Sequence, residues 1–444
     1  MERLFSGKDL RKLIVPLIFE QALATTVGMA DTMMVSSVGE AAISGVSLVD
    51  MINMLIFSVL AALATGGAVV TSQYLGAREP EQARKSARQL LYTVLVSGVG
   101  IAALVLVARR PLLRLLFGRI EPDVMKNALI YLVITALSFP FLAAYNACAA
   151  LFRSLGNSQI TLKVSIIINI INIAGNALCI FGLKMGAEGV AIPSLVSRAV
   201  GAVLLYRLLK KPDQEIYFEK GPFHWDGRAI RKILYIGIPS GIENGLFQLG
   251  RVLVVSIISG FGTVQIAANG VANNLDSLGI LVGSAMNLAI ITVIGQCVGA
   301  RDEGQIRYYL KKLLLITYLA EGALIATILL SLDWILRLYG LGPETTALAK
   351  KLVMIHNGSA MLLWPVAFVL PNMLRACNDV RYTMLVSICS MFCFRVMFGY
   401  ILGARMGMGA VGVWIAMDLD WICRTAFFVG RYISGRWKKL AGLS

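Results

Sequence analysis

Apolar runs of about twenty residues follow one another along the whole chain, separated by short polar stretches that carry most of the charge. A helix needs roughly 20 apolar residues to cross a bilayer core. The runs recur about every 37 residues over a length of 444, so twelve spans fit. They fall at 11–36, 46–75, 89–107, 127–150, 160–182, 188–206, 233–258, 266–297, 313–332, 352–374, 382–403 and 410–430. The pattern predicts an all-α integral membrane protein.

Composition agrees: 57% of residues are hydrophobic and 15% charged, against about 25% charged in a typical soluble domain. Soluble multidomain architectures and disorder are excluded. The seven cysteines lie in or beside apolar runs with no CxxC, and they read as buried thiols rather than a disulfide framework or a metal site. Two histidines in all argue against histidine-rich metal chemistry.

The net charge of +16 is an orientation signal rather than a nucleic-acid footprint, because Lys and Arg sit mostly in short loops. With sides alternating, 27 of the 41 fall on the side that holds the N-terminus and 10 on the other. Arg198, Arg251, Arg395 and Arg424 lie inside spans. The excess places both termini in the cytoplasm of a multi-pass plasma-membrane protein. No cleavable signal peptide is expected, because the first span is too long and lacks a small-residue cleavage site after it.

The chain also repeats itself. Gln73-Tyr74-Leu75-Gly76-Ala77-Arg78-Glu79 recurs 223 residues later as Gln296-Cys297-Val298-Gly299-Ala300-Arg301-Asp302. Pro16, Glu20 and Gly39 match Pro239, Glu243 and Gly262 in the same register, and Phe152-Arg153 matches Leu374-Arg375 at an offset of 222. One register held this long indicates duplication. Six spans per half is an even number, so both halves enter the membrane in the same sense, as parallel repeats with a substrate path between them. The expected organisation is a six-helix lobe over 1–206, a cytoplasmic linker over 207–232, and a six-helix lobe with a short cytoplasmic tail over 233–444. Repeats could also build a channel, but no filter loop or charge ring is visible.

A charge at mid-bilayer costs about 2.5–3.5 kcal/mol even on the lenient insertion scale. Glu20, Asp31, Asp50, Glu243, Asp276, Glu321, Asp418 and Asp420 are nonetheless kept within apolar runs. They should face a bundle interior or a wet cavity. Glu20 and Asp31 are eleven residues apart and project from one face of the first span, about 16 Å apart along it. Pro16, one turn before Glu20, can bend that helix, and Pro239 stands at the equivalent place.

Asp31 has two readings: a functional carboxylate, or a residue that ends the helix before Ser36-Ser37. Asn169, Asn172 and Asn176 form a stripe on the fifth span that either cements helices by hydrogen bonds or, with Ser194 and one carboxylate, supplies the oxygens a hard monovalent cation prefers. Asn269, Asn273, Asp276 and Asn287 form a second stripe, on the eighth span. Asp420 and Arg424, at i, i+4, should neutralise each other. Met29, Met33, Met34, Met51 and Met54 are core filler or an adaptable ligand lining.

These features resemble the multidrug and toxic compound extrusion (MATE) family over nearly the whole chain. The two six-span lobes carry the resemblance, with the repeated Gln-x-x-Gly-Ala-Arg-acid turn, Pro16 and Ala30-Asp31-Thr32-Met33-Met34-Val35. The resemblance implies twelve helices in two parallel-repeat bundles. It also implies antiport in which a Na⁺ or H⁺ gradient drives export of amphiphilic, often cationic compounds by alternating access. It places the cation at Asp31, Asn172, Asn176 and Ser194, the last replacing the family's usual Thr, with the carbonyl of Val190 beside them. Substrate would meet Glu20, Met33, Met34, Glu243, Asn273 and Asp276. Glu243 matches an acid used by many members, but the tenth span lacks the carboxylate some bacterial members carry, so the coupling site belongs to the N-terminal lobe. No cofactor beyond the coupling ion is expected, and the chain is expected to be a monomer in the bilayer, without nucleic-acid partners.

Two other classes remain. A flippase of lipid-linked saccharides would favour basic cavities for phosphate, whereas eight acids stand against four arginines within the spans. A membrane enzyme would need a HExxH motif, a Gly-rich phosphate loop or a nucleophile with its base, and none is visible.

Overall fold

The computed structural model describes residues 3–118, 121–219 and 221–443; the side chains of Met29, Thr32 and Ser36 lie outside the described residues. Among the described residues there are helices and no strands. The first six spans are α1 (Gly7–Ser36), α2 (Glu40–Gly76), α3 (Pro80–Phe117), α4 (Pro122–Ser154), α5 (Ser158–Ala177) extended by a π-helical turn (Leu178–Gly182), and α6 (Glu188–Leu209). The second six begin with α7 (Gly227–Ser259), α8 (Thr263–Gly279), α9 (Leu281–Gly299) and α10 (Glu303–Leu330). After the short α11 (Leu332–Leu338) come α12 (Pro343–Trp364), a π segment (Pro365–Val369) and α13 (Leu370–Ala376). Next are α14 (Val380–Ser390), continued by π segments at Met391–Phe398 and Ile401–Arg405, then α15 (Gly409–Ser434) and α16 (Arg436–Leu440).

Among the described residues, eleven helices are long and apolar enough to cross a membrane. The twelfth is α15, whose 26 residues suffice in length but include Asp418, Asp420 and Arg424 in every span-length window. Their charge is compensated by packing: Asp420 accepts from Arg424 at 3.0 Å and from Arg395 at 3.1 Å. The eighth sequence span is not one helix. Ile280, at φ −90° and ψ 9°, divides it into α8 and α9. The close approach just beyond the break requires glycine, since a Cβ at Gly283 would lie 2.0 Å from the Trp364 ring.

The duplication is written in the backbone. Arg78 and Arg301 both take the left-handed conformation, at φ 59° and 54°. Each closes its helix with the same three bonds, the first from Ala77 N to Gln73 O and from Ala300 N to Gln296 O, which is how a left-handed cap satisfies orphan carbonyls. Gly39 and Gly262, Gly118 and Gly340, Gly156 and Asn378, and Lys184 and Gly407 also pair as positive-φ positions at offsets of 222 or 223. The π turns Leu178–Gly182 and Ile401–Arg405 are 223 apart. Between the last two registers the offset grows by one, so the second copy of this helix holds one extra residue. It contains the π segment Met391–Phe398, and an i→i+5 turn takes up one more residue than an α turn.

Packing separates the chain into two units, Asp9–Asn244 and Gly245–Ser444 together with Met1–Lys8. In the first, α4 packs on α2, α3 and α6, and α5 on α6. The unit takes in the expected linker and continues to Asn244. The linker lies along α3: Gln89 donates to the His224 carbonyl at 2.7 Å, Arg84 pairs with Glu219 at 2.9 Å, and Phe223 meets Tyr92 at 4.0 Å. In the second unit, α8, α12 and α15 enclose a core around Trp414, Leu275, Leu352 and Val413. Residues Leu4 and Phe5 join it, bonded to Gln305 and Tyr309 at 2.9 Å each.

The cysteines correct one expectation. All seven are free, and Cys148, Cys297 and Cys377 are buried, but Cys389 and Cys393 are exposed. In a membrane protein the outward faces are as apolar as the interior, so apolar neighbours do not imply burial.

Candidate functional site

Three helices of the first unit bring the predicted cation ligands together. Asp31 lies inside α1, more than a turn before its end at Ser36, so it does not terminate the helix. Its Oδ1 accepts from Asn176 Nδ2 on α5 at 2.7 Å. The same amide nitrogen lies 3.3 Å from Asn172 Oδ1, one turn earlier. Asn172 Nδ2 donates to Ser194 Oγ on α6 at 3.0 Å, and Ser194 donates to the Val190 carbonyl at 2.9 Å. Asn176 is fully buried, yet its Oδ1 has no hydrogen-bond partner. A buried acceptor left unsatisfied costs about 1–3 kcal/mol, and a cation or a proton donor would satisfy it. One carboxylate, two amide oxygens, a hydroxyl and a carbonyl form an all-oxygen set that suits a hard cation. These residues therefore fit Na⁺ by the chemistry of their donors.

Asn169 is not part of this cluster; it donates to Ser165 at 3.2 Å within α5. The asparagine stripe thus does both things the sequence allows, bridging helices and leaving an acceptor open. Asp50 and Arg198 act electrostatically on Asp31. Asp50 accepts from Tyr131 on α4 at 3.0 Å. Arg198 donates to Ser138 at 2.6 Å, its guanidinium 4.5 Å from the centre of the Phe57 ring. Tyr131 and Ser138 were not legible as partners, being far from Asp50 and Arg198 in sequence.

Glu20 sits apart from the cluster, 9% exposed, accepting from Thr161 at 3.1 Å. Since Thr161 and Asn176 are both on α5, that helix partners both Glu20 and Asp31 of α1. Glu243 is 5% exposed on α7. Met33 is 73% exposed and Met34 half-buried. Pro16 and Pro239 stand inside α1 and α7.

In the second unit, Asn273 lines a small cavity with Arg251, Asn269, Arg395 and Met417. Asp276 lies beside His356, which is bonded to Asp418. The repeat register makes the contrast between units specific. The counterparts of Asp31, Asn176 and Ser194 are Val254, Gly399 and Met417, and Asn172 falls opposite Phe394-Arg395, within the π segment where the register shifts. Val254, Met417 and Arg395 line the cavity just described. The second unit keeps the place of the cage but has replaced its ligands.

A family model described as MatE matches the chain twice, over residues 16–178 and 239–401, the second match displaced by 223 residues at both ends. The chain belongs to the MatE family. Among relatives of this MatE protein, an uncharacterized transporter of Bacillus subtilis, YisQ, is 28% identical over 97% of the chain and 94% of its own length. A probable multidrug resistance protein NorM of Thermotoga maritima is 25% identical over 98% and 94%. A solved multidrug resistance MATE-family transporter of the MOP superfamily, described as outward-facing, shares the fold with a TM-score of 0.90. It is 21% identical, and the match covers 99% of this chain and 100% of that one. This MatE chain is therefore a multi-pass membrane transporter of twelve spans.

Proposed function

We propose that this transporter exports amphiphilic, often cationic compounds in exchange for Na⁺ or H⁺, with Asp31 as the coupling carboxylate. The observation that carries this reading is the buried, unpartnered Asn176 Oδ1 inside the cluster of Asp31, Asn172, Ser194 and the Val190 carbonyl. A proton on Asp31 or a Na⁺ among the five oxygens would answer the same deficit, so the two ions compete for one site. The multidrug resistance names of relatives support the substrate class.

Coupling requires the ion to favour one conformation over the other, because equal affinity shifts nothing. In this reading the conformational element is α1. It holds Asp31 at one end, and Pro16 removes a backbone bond to the Lys12 carbonyl, which makes that turn the softest point of the helix. Ion binding draws α1 toward α5 and α6, repacks the first lobe around Glu20, Met33 and Met34, and releases substrate outward. Glu243, Asn273 and Asp276 complete the proposed substrate path in an alternating-access cycle. Both termini face the cytoplasm of the plasma membrane.

The test is efflux of a cationic dye from proteoliposomes under an imposed Na⁺ or proton gradient. Asp31→Asn keeps side-chain volume and removes the charge, and gradient-driven flux should fall to the level of empty liposomes while dye binding persists. Parental flux at matched protein density would exclude Asp31 as the coupling group.

A further inference from the structure

We infer that the second unit holds a proton-binding site of its own, in which one proton is shared between His356 and Asp276. On α12, His356 is fully buried. Its Nδ1 lies 2.6 Å from Asp418 Oδ1 on α15, and Asp418 Oδ2 accepts from Ser359 at 2.9 Å. The Ser359 hydroxyl has a single proton and lies equally 2.9 Å from the Ile355 carbonyl, so the ring decides: with Asp418 ionised, Nδ1 is its donor. The other ring nitrogen of a neutral imidazole is then an acceptor. It faces a second acceptor, since Asp276 Oδ1 on α8 is 3.7 Å from Nε2. Both atoms are buried and without a hydrogen-bond partner.

Two facing acceptors in a low-dielectric interior are unstable as they stand and become a donor–acceptor pair on gaining one proton. The proton rests on Nε2 as imidazolium or on Asp276 as the neutral acid, and these are two microstates of one titration. The imidazole stacks on Trp421 at 4.0 Å, and an aromatic face attracts a cation. The side chain of Asp276 is 15% exposed, while that of His356 is not exposed at all. Glu321 on α10 acts electrostatically on Asp276's neighbourhood, as do Arg251 on α7 and Arg395 on the π segment. Tyr318 lies on α10 near Glu321, and Asp420 and Arg424 on α15 neutralise each other.

The repeat separates this cluster from the shared framework. The first-unit counterparts of Asp276, Glu321, His356 and Asp418 are Asn53, Gly98, Ile134 and Leu195. Folding the duplicated bundle therefore does not require these titratable groups. Nor does the site depend on the assignment of Asp31, which lies in the other unit.

The chain contains only two histidines, so ¹⁵N-histidine labelling of the full-length protein in nanodiscs resolves both, with His356→Gln assigning the signals and His224 serving as internal reference. Expected in the parent is an Nε2 signal of a protonated or proton-sharing nitrogen at neutral pH. In Asp276→Asn that signal should move to the bare, pyridine-type position, whereas Asp31→Asn should leave it unchanged. Proton uptake in lightly buffered solution should drop by one per molecule in His356→Gln. A bare Nε2 in the parent across roughly pH 5–8 would overturn the proposal, as would identical Nε2 signals in parent and Asp276→Asn. If Asp276→Asn does not elute as a monodisperse species, Asp276→Glu decides, since it keeps the acceptor and must keep the proton-sharing signal.

Discussion

Asp420 holds two guanidiniums at once, those of Arg395 and Arg424, and all three side chains are almost fully buried. Removing one member of such a group leaves an uncompensated charge, at a cost of about 3–5 kcal/mol. Asp420→Asn strands two. Its thermal unfolding midpoint, followed by fluorescence-detected size exclusion, should fall well below that of the parent. An unchanged midpoint would mean that the pair is hydrated in the bilayer. Asp31 is different in kind. It has one amide donor in place of a salt bridge, so Asp31→Asn should alter coupling while leaving the midpoint nearly unmoved. The i, i+4 spacing of Asp420 and Arg424 was legible in the sequence. Arg395 as the second partner was not, because it comes from another helix.

Helix ends show how local chemistry reaches further than one turn. Asp302 accepts from Gln305 N at 3.0 Å and so caps α10. This hydrogen bond holds its carboxyl below the usual carboxylate range. Gln305 in turn receives Leu4 N at 2.9 Å, which anchors the N-terminal segment to the second unit. Asp302→Ala should lower stability by about 1 kcal/mol and speed proteolysis of the N-terminal segment. The sign of the pH effect follows from a depressed folded value: the stabilisation is full above the unfolded value, near pH 4, and fades as pH falls through the folded one. The alanine variant should lack that acid-side loss, measured as the difference between parent and variant melting points from neutral to acid pH. Glu79, the counterpart of Asp302, makes no such cap, so the two copies of the turn share backbone conformation but not side-chain chemistry. That the turns match was readable from the repeated motif. The π segment at Met391–Phe398 was not, since a single-residue insertion leaves helical periodicity almost untouched.

For the whole molecule, an even number of spans and the excess of basic loops on one side carry the proposal that both termini are cytoplasmic. A fluorescent protein fused after Ser444 should therefore be bright, and alkaline phosphatase fused there inactive; a fusion near Lys184 should behave in the opposite way. Span number, repeat, orientation signal and family membership were all open to the sequence, because each depends on hydropathy or motif along the chain and none on distant contacts. Position 31 was marked as costly by the same reasoning, since a carboxylate in an apolar run needs a cause. Tertiary structure alone decided which partner answers each charge. It joined Asp31 to Asn176 and Glu20 to Thr161 across α1 and α5, and it placed Asp418 and Asp276 on either side of His356. Such pairings depend on how helices rotate and cross. Hydropathy cannot encode that rotation in a protein whose outward and inward faces are both apolar.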